Sequence, residues 1–176
     1  MEIKESLNRV KNISKGVYYL VNTFFYLYCL ANVFVAAFSA IALLFPNVLE
    51  MNTTEGWVGV IGILVLTIPT AVIIKLIALI FKNISKEETP FTMKQVKRFQ
   101  WIALLILLDV FVNAVFSTVL GGVSGGLYGI FGVFAKGYTN HLFVYLLEVC
   151  SAVVIFCFSF AFEYGFLLQE DINDTV

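Results

Sequence analysis

The chain has 176 residues, of which 60% are hydrophobic and only 13% are charged, and its net charge at neutral pH is −1. A soluble domain of this size needs much more polar surface, so this composition excludes an ordinary soluble protein. Apart from Lys75 and Lys136, the basic residues occur in short segments beside apolar runs, and we therefore expect no direct binding of nucleic acid.

Four apolar runs predict an all-α membrane protein with four transmembrane helices in a compact bundle, because each run is long enough to cross a bilayer. The spans are expected at about 17–45, 57–81, 99–120 and 141–168. Together they form one membrane domain over 17–168, and the lipid bilayer is its first expected partner.

The segment before the first span, residues 1–16, predicts an amphipathic helix that lies on the membrane surface. Apolar residues recur at helical spacing from Ile3 to Ile13, with charged residues between them. The basic region and the apolar run after it are both too long for a cleaved signal peptide.

The second span carries a proline and a lysine. Pro69 lies in its middle and predicts a kink, and Thr67 can satisfy part of the backbone that the proline leaves without a hydrogen bond. Lys75 lies about two turns from the end of this span. One interpretation is that its long side chain reaches the headgroup region.

A polar segment between the second and third spans, residues 82–98, interrupts the apolar chain. It holds five of the eleven basic residues: Lys82, Lys86, Lys94, Lys97 and Arg98. Pro90 breaks the chain direction, and Thr92 followed by Gln95 predicts a capping box that starts the third helix.

The distribution of basic residues predicts the orientation in the membrane. The N-terminal segment and the central segment are basic. The other two connections have one basic residue between them, Lys136. The positive-inside rule then places both termini and the central segment in the cytoplasm.

The tail over 169–176 is acidic, and with the central segment it predicts a cytoplasmic interaction surface. Its candidate residues are Lys82, Lys86, Lys94, Lys97, Arg98, Glu170, Asp171 and Asp174.

Seven glycines lie between 121 and 137, and several are four residues apart. In a membrane helix this GxxxG spacing allows close approach of two backbones, and it would suit a homo-oligomer. An outer loop and a re-entrant turn fit the same residues equally well. No Gly-Lys-Ser/Thr motif follows, so a phosphate-binding loop is excluded.

Four ionisable residues lie within the predicted spans: Lys75, Asp109, Glu148 and Glu163. A charge at membrane depth costs at least roughly 2.5–3.5 kcal/mol, so such residues are usually paired or line a wet cavity. Lys75, Glu163 and Asp109 are expected at similar depth, about seven, five and ten residues from the ends of their spans. Three interpretations stay open: an ion pair of Lys75 with Asp109 or Glu163, a proton or ligand site, and independent contact with the headgroups. Asp109 and Asn113, four residues apart, predict a polar stripe that faces the bundle interior.

The sequence predicts no catalytic residue, metal site or cofactor. The three cysteines, Cys29, Cys150 and Cys157, all lie in apolar runs, and the chain has one histidine, His141. No set of residues for nucleophilic or metal-assisted catalysis can be assembled from these, so we expect a protein that is not an enzyme.

Two separated polar motifs resemble those of a bacterial family. NISK at 83–86, TPFT at 89–92 and VKR at 96–98 are similar to its pattern I-x-x-G-x-P-F-T/S followed by N/Q-V-K-R-L. LQEDINDTV at 168–176 is similar to its acidic ending, L-x-E-E-x-D-L-T-V. The family comprises small four-helix membrane proteins and is known as a domain of unknown function. Residues 87–89 depart from its pattern, which has a glycine before Pro-Phe.

The resemblance implies a partner but no chemistry. Genes of this family often lie beside one for a very small Cro-like helix-turn-helix regulator, so a regulator in the cytoplasm, or another membrane subunit, is an implied partner.

The first functional hypothesis is a non-enzymatic regulatory or interaction protein of the bacterial cytoplasmic membrane. The alternative is a small transporter or a toxin- or bacteriocin-resistance (immunity-type) protein that uses the buried charges. Four-helix exporters carry an acidic residue in the first span, and this chain has none there.

Overall fold

A computed structural model describes residues 2–44, 53–86, 91–120 and 141–174. These residues form four α-helices: α1 (Glu2–Leu44), α2 (Thr53–Lys86), α3 (Met93–Leu120) and α4 (His141–Asp174). Within the described ranges only Phe91 and Thr92 are not helical. The prediction of an all-α fold with four long helices is confirmed.

Each of the four helices contains a segment long and apolar enough to cross a membrane. The segments are Glu5–Ala37, Thr67–Lys86, Met93–Val115 and Val144–Ile172, with mean hydropathies between 1.7 and 2.2. Large apolar side chains point outward along them, as Leu20 does with 70% of its surface exposed. Such a surface requires lipid around it, so this is a small multi-pass membrane protein.

Consecutive helices pack against one another in an antiparallel order: α1 on α2, α2 on α3, and α3 on α4. Lys82 near the end of α2 lies over the ring of Tyr18 near the start of α1. Phe99 near the start of α3 contacts Phe162 in the second half of α4, with ring centroids 4.8 Å apart. The start of α1, the end of α2, the start of α3 and the end of α4 therefore lie at one end of the bundle.

The apolar core lies between α2, α3 and α4. Its buried side chains are Ile73 and Ile80 of α2, Ile102 and Ile106 of α3, and Ala152 of α4. Among the described residues α1 contributes no fully buried apolar side chain, and it packs on α2 at the edge of this core.

Two helix boundaries differ from those expected. α1 runs without a break from Glu2 to Leu44, so the amphipathic segment and the first span are continuous in one helix. The helix contains no proline, and its one glycine, Gly16, causes no interruption. α4 likewise continues to Asp174, so most of the acidic tail is helical. A surface location for the N-terminal segment stays a prediction, and the glycine-rich segment 121–137 lies outside the described residues.

α3 begins at Met93, as the Thr92 signal predicts, but the capping box does not form. The carbonyl oxygen of Thr92 accepts hydrogen bonds from the backbone N–H groups of Gln95 and Val96, at 2.9 and 3.2 Å. The Thr92 hydroxyl and both polar atoms of the Gln95 side chain have no hydrogen-bond partner within the described residues. The Gln95 side chain is completely buried, so it packs inside the bundle and is not available to the first helical turn.

Phe91, two residues before the start of α3, packs against α4. Its ring lies 5.3 Å from that of Phe162, between centroids, and it covers Gly165. A Cβ atom at Gly165 would lie only 2.7 Å from the ring of Phe91. The lack of a side chain at this position therefore allows Phe91 to approach α4.

Candidate functional site

Polar side chains from all four helices gather in the interior of the bundle. We call this group the buried polar cluster. Its members are Tyr28, Asn32, Thr70, Asp109, Asn113 and Glu148. Thr70, Asp109 and Glu148 have no exposed surface, and Asn113 is 2% exposed. Most of a membrane bundle is filled by apolar side chains, so a concentration of buried polar groups marks a candidate site.

Tyr28 connects α1 and α2 within the cluster. Its hydroxyl makes side-chain hydrogen bonds with Thr70 of α2 and with Asn32 one turn further along α1. The Asn32 amide also donates to the Tyr28 carbonyl oxygen at 2.8 Å. Tyr28 also interacts electrostatically with Asp109. It therefore links the polar residues of α1 and α2 to the acidic residues of the cluster.

Asp109 and Asn113 occupy one face of α3, as their spacing predicts. The Asn113 side-chain amide donates to the backbone carbonyl oxygen of Asp109 at 2.9 Å and to its carboxylate oxygen Oδ2 at 3.1 Å. Both side chains are buried. The amide therefore holds the carboxyl group of Asp109 in a fixed orientation toward the interior.

Glu148 of α4 is the least satisfied member of the cluster. Both of its carboxyl oxygens are buried, and neither has a hydrogen-bond partner among the described residues. Its charged neighbour is Asp109, which is close enough to interact with it electrostatically. Two acidic groups thus approach each other in the interior, and no described basic side chain forms a salt bridge with Glu148.

Lys75 does not join the acidic residues, so the ion pair considered for it with Asp109 or Glu163 is not formed. Its ammonium group donates to the Asn22 side-chain oxygen at 3.2 Å and lies over the ring of Phe25, 4.8 Å from the centroid. Lys75 faces α1, whereas Asp109 belongs to α3. Its charge is stabilised by one amide and by aromatic rings instead.

Glu163 also lies apart from the cluster. It is half-buried and lies fifteen positions after Glu148 on α4, which corresponds to roughly 22 Å along the helix. It is near the end of the bundle that holds Phe91, so of the four predicted intramembrane charges only Asp109 and Glu148 come together.

The residues predicted for the cytoplasmic surface lie at the end of the bundle that holds the start of α1, the end of α2, the start of α3 and the end of α4. Lys86, Lys94, Lys97, Glu170 and Asp171 are exposed. Lys82 and Arg98 are half-buried and form internal contacts: Lys82 with Tyr18, and Arg98 with the backbone carbonyl oxygen of Leu79 at 3.0 Å. Asp174 ends α4, and its side chain lies outside the described set.

Sequence reasoning missed Tyr28, Asn32 and Thr70 as members of the cluster. A signal was present for Tyr28, because Asn32 follows it by four residues and shares its helix face. Thr70 carried no such signal, since it stands alone on an apolar helix beside Pro69.

Within the described residues no three His, Cys, Asp or Glu side chains are grouped in a way that would hold a metal ion. The cluster instead offers two carboxyl groups, two hydroxyl groups and two amides. These groups can bind, orient or release a proton or a small cation.

No family model, curated protein or solved structure matches the chain. The resemblance to the four-helix bacterial family therefore stays a prediction.

Proposed function

We propose that this is a non-enzymatic regulatory or interaction protein of the bacterial cytoplasmic membrane. One observation carries the proposal: exposed acidic residues of α4 and exposed basic residues of α3 lie at the same end of the bundle. The contact of Phe91 with Gly165 keeps the start of α3 close to the second half of α4. Lys94 and Lys97 on α3 are then presented at the end of the bundle that also carries the acidic last turns of α4.

The placement of these charges is not explained by helix stability. Cations near a helix N-terminus and anions near a C-terminus oppose the helix dipole, at a cost of about 0.3–1 kcal/mol each for exposed groups. Lys94 lies in the first turn of α3, and Glu170 and Asp171 lie near the end of α4, whose last turn has no basic residue. The positive-inside rule accounts for the lysine but not for the acidic residues. Recognition of a partner accounts for both signs.

The partner class that fits best is a small cytoplasmic helix-turn-helix regulator, with another membrane subunit as the alternative. A DNA-binding regulator carries a basic surface, which is complementary to the exposed Glu170 and Asp171. The resemblance to the bacterial family supports the same partner. Capture of such a regulator at the membrane would control how much of it reaches DNA.

The test is a pull-down from native membranes in mild detergent, quantified by mass spectrometry. The wild type is compared with the double variant Glu170→Lys/Asp171→Lys. The matched control is Glu5→Lys, which reverses an exposed acidic residue on α1. We expect one soluble regulator or membrane subunit to be enriched by the wild type and by the control, and to be at least tenfold depleted with the double variant. Equal recovery by all three proteins would overturn the proposal.

The buried polar cluster favours a second candidate function, a small transporter or a toxin- or bacteriocin-resistance protein that uses Asp109 and Glu148. Lys75, the third charge considered for such a role, binds α1 instead of the acids. The double variant Asp109→Asn/Glu148→Gln should then abolish transport or resistance while the control Glu163→Gln retains it. Full activity of the double variant would exclude this function.

A further inference from the structure

We propose that Asp109 and Glu148 form an intramembrane proton-binding site that takes up one proton and exchanges it with the aqueous phase. The inference goes beyond interaction at the cytoplasmic surface and does not depend on it. The observation that carries it is the complete burial of Glu148, with both carboxyl oxygens lacking a partner among the described residues; beside it stands the electrostatic interaction of Glu148 with a second buried acid, Asp109 of the neighbouring helix.

A proton is the ligand that this arrangement fits best. An ionised carboxylate in an apolar interior without hydrogen bonds or a counter-charge is very costly. No described residue donates a hydrogen bond to Glu148 to offset that cost, and no described basic side chain pairs with it. Binding one proton removes the charge without requiring the several oxygen ligands that a metal cation takes. Two acidic side chains lie here among the described residues, whereas a group of metal ligands would need at least three His, Cys, Asp or Glu side chains.

The described titratable and charged side chains around Glu148 are acidic or neutral. α3, the helix that packs against α4, presents Asp109 with its partner Asn113, and Tyr28 of α1 lies close enough to Asp109 to interact with its charge. Thr70 of α2 is hydrogen-bonded to Tyr28. On α4 itself the neighbouring titratable side chain is Tyr145, three residues before Glu148. The lysine of α2 at this level of the bundle, Lys75, faces α1 and is bonded to Asn22.

Binding and release of the proton change the force between two helices. With one proton bound, the two carboxyl groups together carry a single negative charge. When that proton leaves to water, both groups are negative and repel each other in a medium of low dielectric constant. Asp109 belongs to α3 and Glu148 to α4, so the repulsion acts directly on the α3–α4 contact.

The experiment uses the full chain in lipid nanodiscs and infrared difference spectroscopy of the carboxyl groups, with the pH raised from mildly acidic to alkaline. We expect the wild type to show a protonated-carboxyl band that shifts in D₂O and disappears as the pH rises. The band should be lost in Asp109→Asn/Glu148→Gln and retained in Glu163→Gln. These substitutions are nearly isosteric, and the wild-type titration alone already tests the site.

Three results would overturn the inference. The first is a wild-type protein without a protonated-carboxyl band at any pH. The second is a band that persists unchanged in the Asp109→Asn/Glu148→Gln variant. The third is a band that appears only when sodium is removed, because the site would then hold a sodium ion. None of these readouts involves a protein partner, so this inference and the proposed function can fail independently.

Discussion

Replacement of Glu148 by methionine should make the protein more stable. Methionine has a similar length and an unbranched, adaptable side chain, so it can fill the same space against α3 without a new cavity. The wild-type carboxyl group is completely buried, and neither oxygen has a hydrogen-bond partner within the described ranges. The substitution therefore removes buried polar atoms and no described hydrogen bond.

The expected gain follows from the number of buried groups that lack a partner. Leaving one buried polar group without a hydrogen bond costs roughly 1–3 kcal/mol. Because the two oxygens belong to a single carboxyl group, we count one such group. We therefore expect Glu148→Met to raise the free energy of unfolding by about 1–3 kcal/mol. Glu148→Gln keeps two buried polar groups, and its effect should be smaller. Glu163→Met, at a half-buried position away from the cluster, should change stability by less than about 0.5 kcal/mol.

The assay is reversible unfolding in mixed micelles, followed by tryptophan fluorescence and circular dichroism over a range of denaturing detergent. All three variants are compared with the wild type under one set of conditions. If Glu148→Met is less stable than the wild type by about 1 kcal/mol or more, Glu148 has a partner or a bound cation in the membrane, and the reasoning from its isolation is wrong. A stabilising effect of Glu148→Met would also agree with a functional role of Glu148, because functional residues often lower the stability of the folded protein.

Three further experiments, which use four substitutions, test the packing. Gly165→Leu places a side chain where a Cβ would already lie 2.7 Å from the ring of Phe91, so it should destabilise the protein by about 1–3 kcal/mol in the same unfolding assay; unchanged stability would mean that the ring moves freely. Lys75→Met and Asp109→Asn should have additive effects, with a coupling below about 0.5 kcal/mol in a double-mutant cycle; a larger coupling would indicate the ion pair that the structure lacks. Arg98→Met keeps the aliphatic part of the side chain but loses its hydrogen bond to α2. This should lower the free energy of unfolding by about 1 kcal/mol, because the group is half-buried. Unchanged stability would show that the hydrogen bond is not formed in lipid.

The helices and part of the site could be predicted from the sequence because they depend on local pattern. Apolar runs of sufficient length define the spans, and the four-residue spacing of Asp109 and Asn113 places them on one face whatever surrounds them. The start of α3 followed from Thr92 and Pro90 in the same way. The change in composition after residue 16 does not end α1, because no proline or capping motif accompanies it.

The partners of the buried side chains could not be predicted because they depend on the rotation and order of the helices. Depth along a helix can be counted from the sequence, and by depth alone Lys75 and Asp109 were possible partners. The direction in which α2 turns that lysine, toward Asn22 of α1, is decided by packing across several helices. Contact between Tyr28 and Thr70 has the same origin, as does the approach of Glu148 to Asp109.

The contact of Phe91 with Gly165 has a consequence for biosynthesis. Translation and membrane insertion proceed from the N-terminus, so Phe91 emerges from the ribosome well before α4 does. Its docking surface does not exist until the last helix has been inserted, and the charged end of the bundle is therefore completed at the final step of assembly. A chain that stops before α4 leaves Phe91 uncovered, which gives cellular quality control a feature that distinguishes unfinished protein from finished protein.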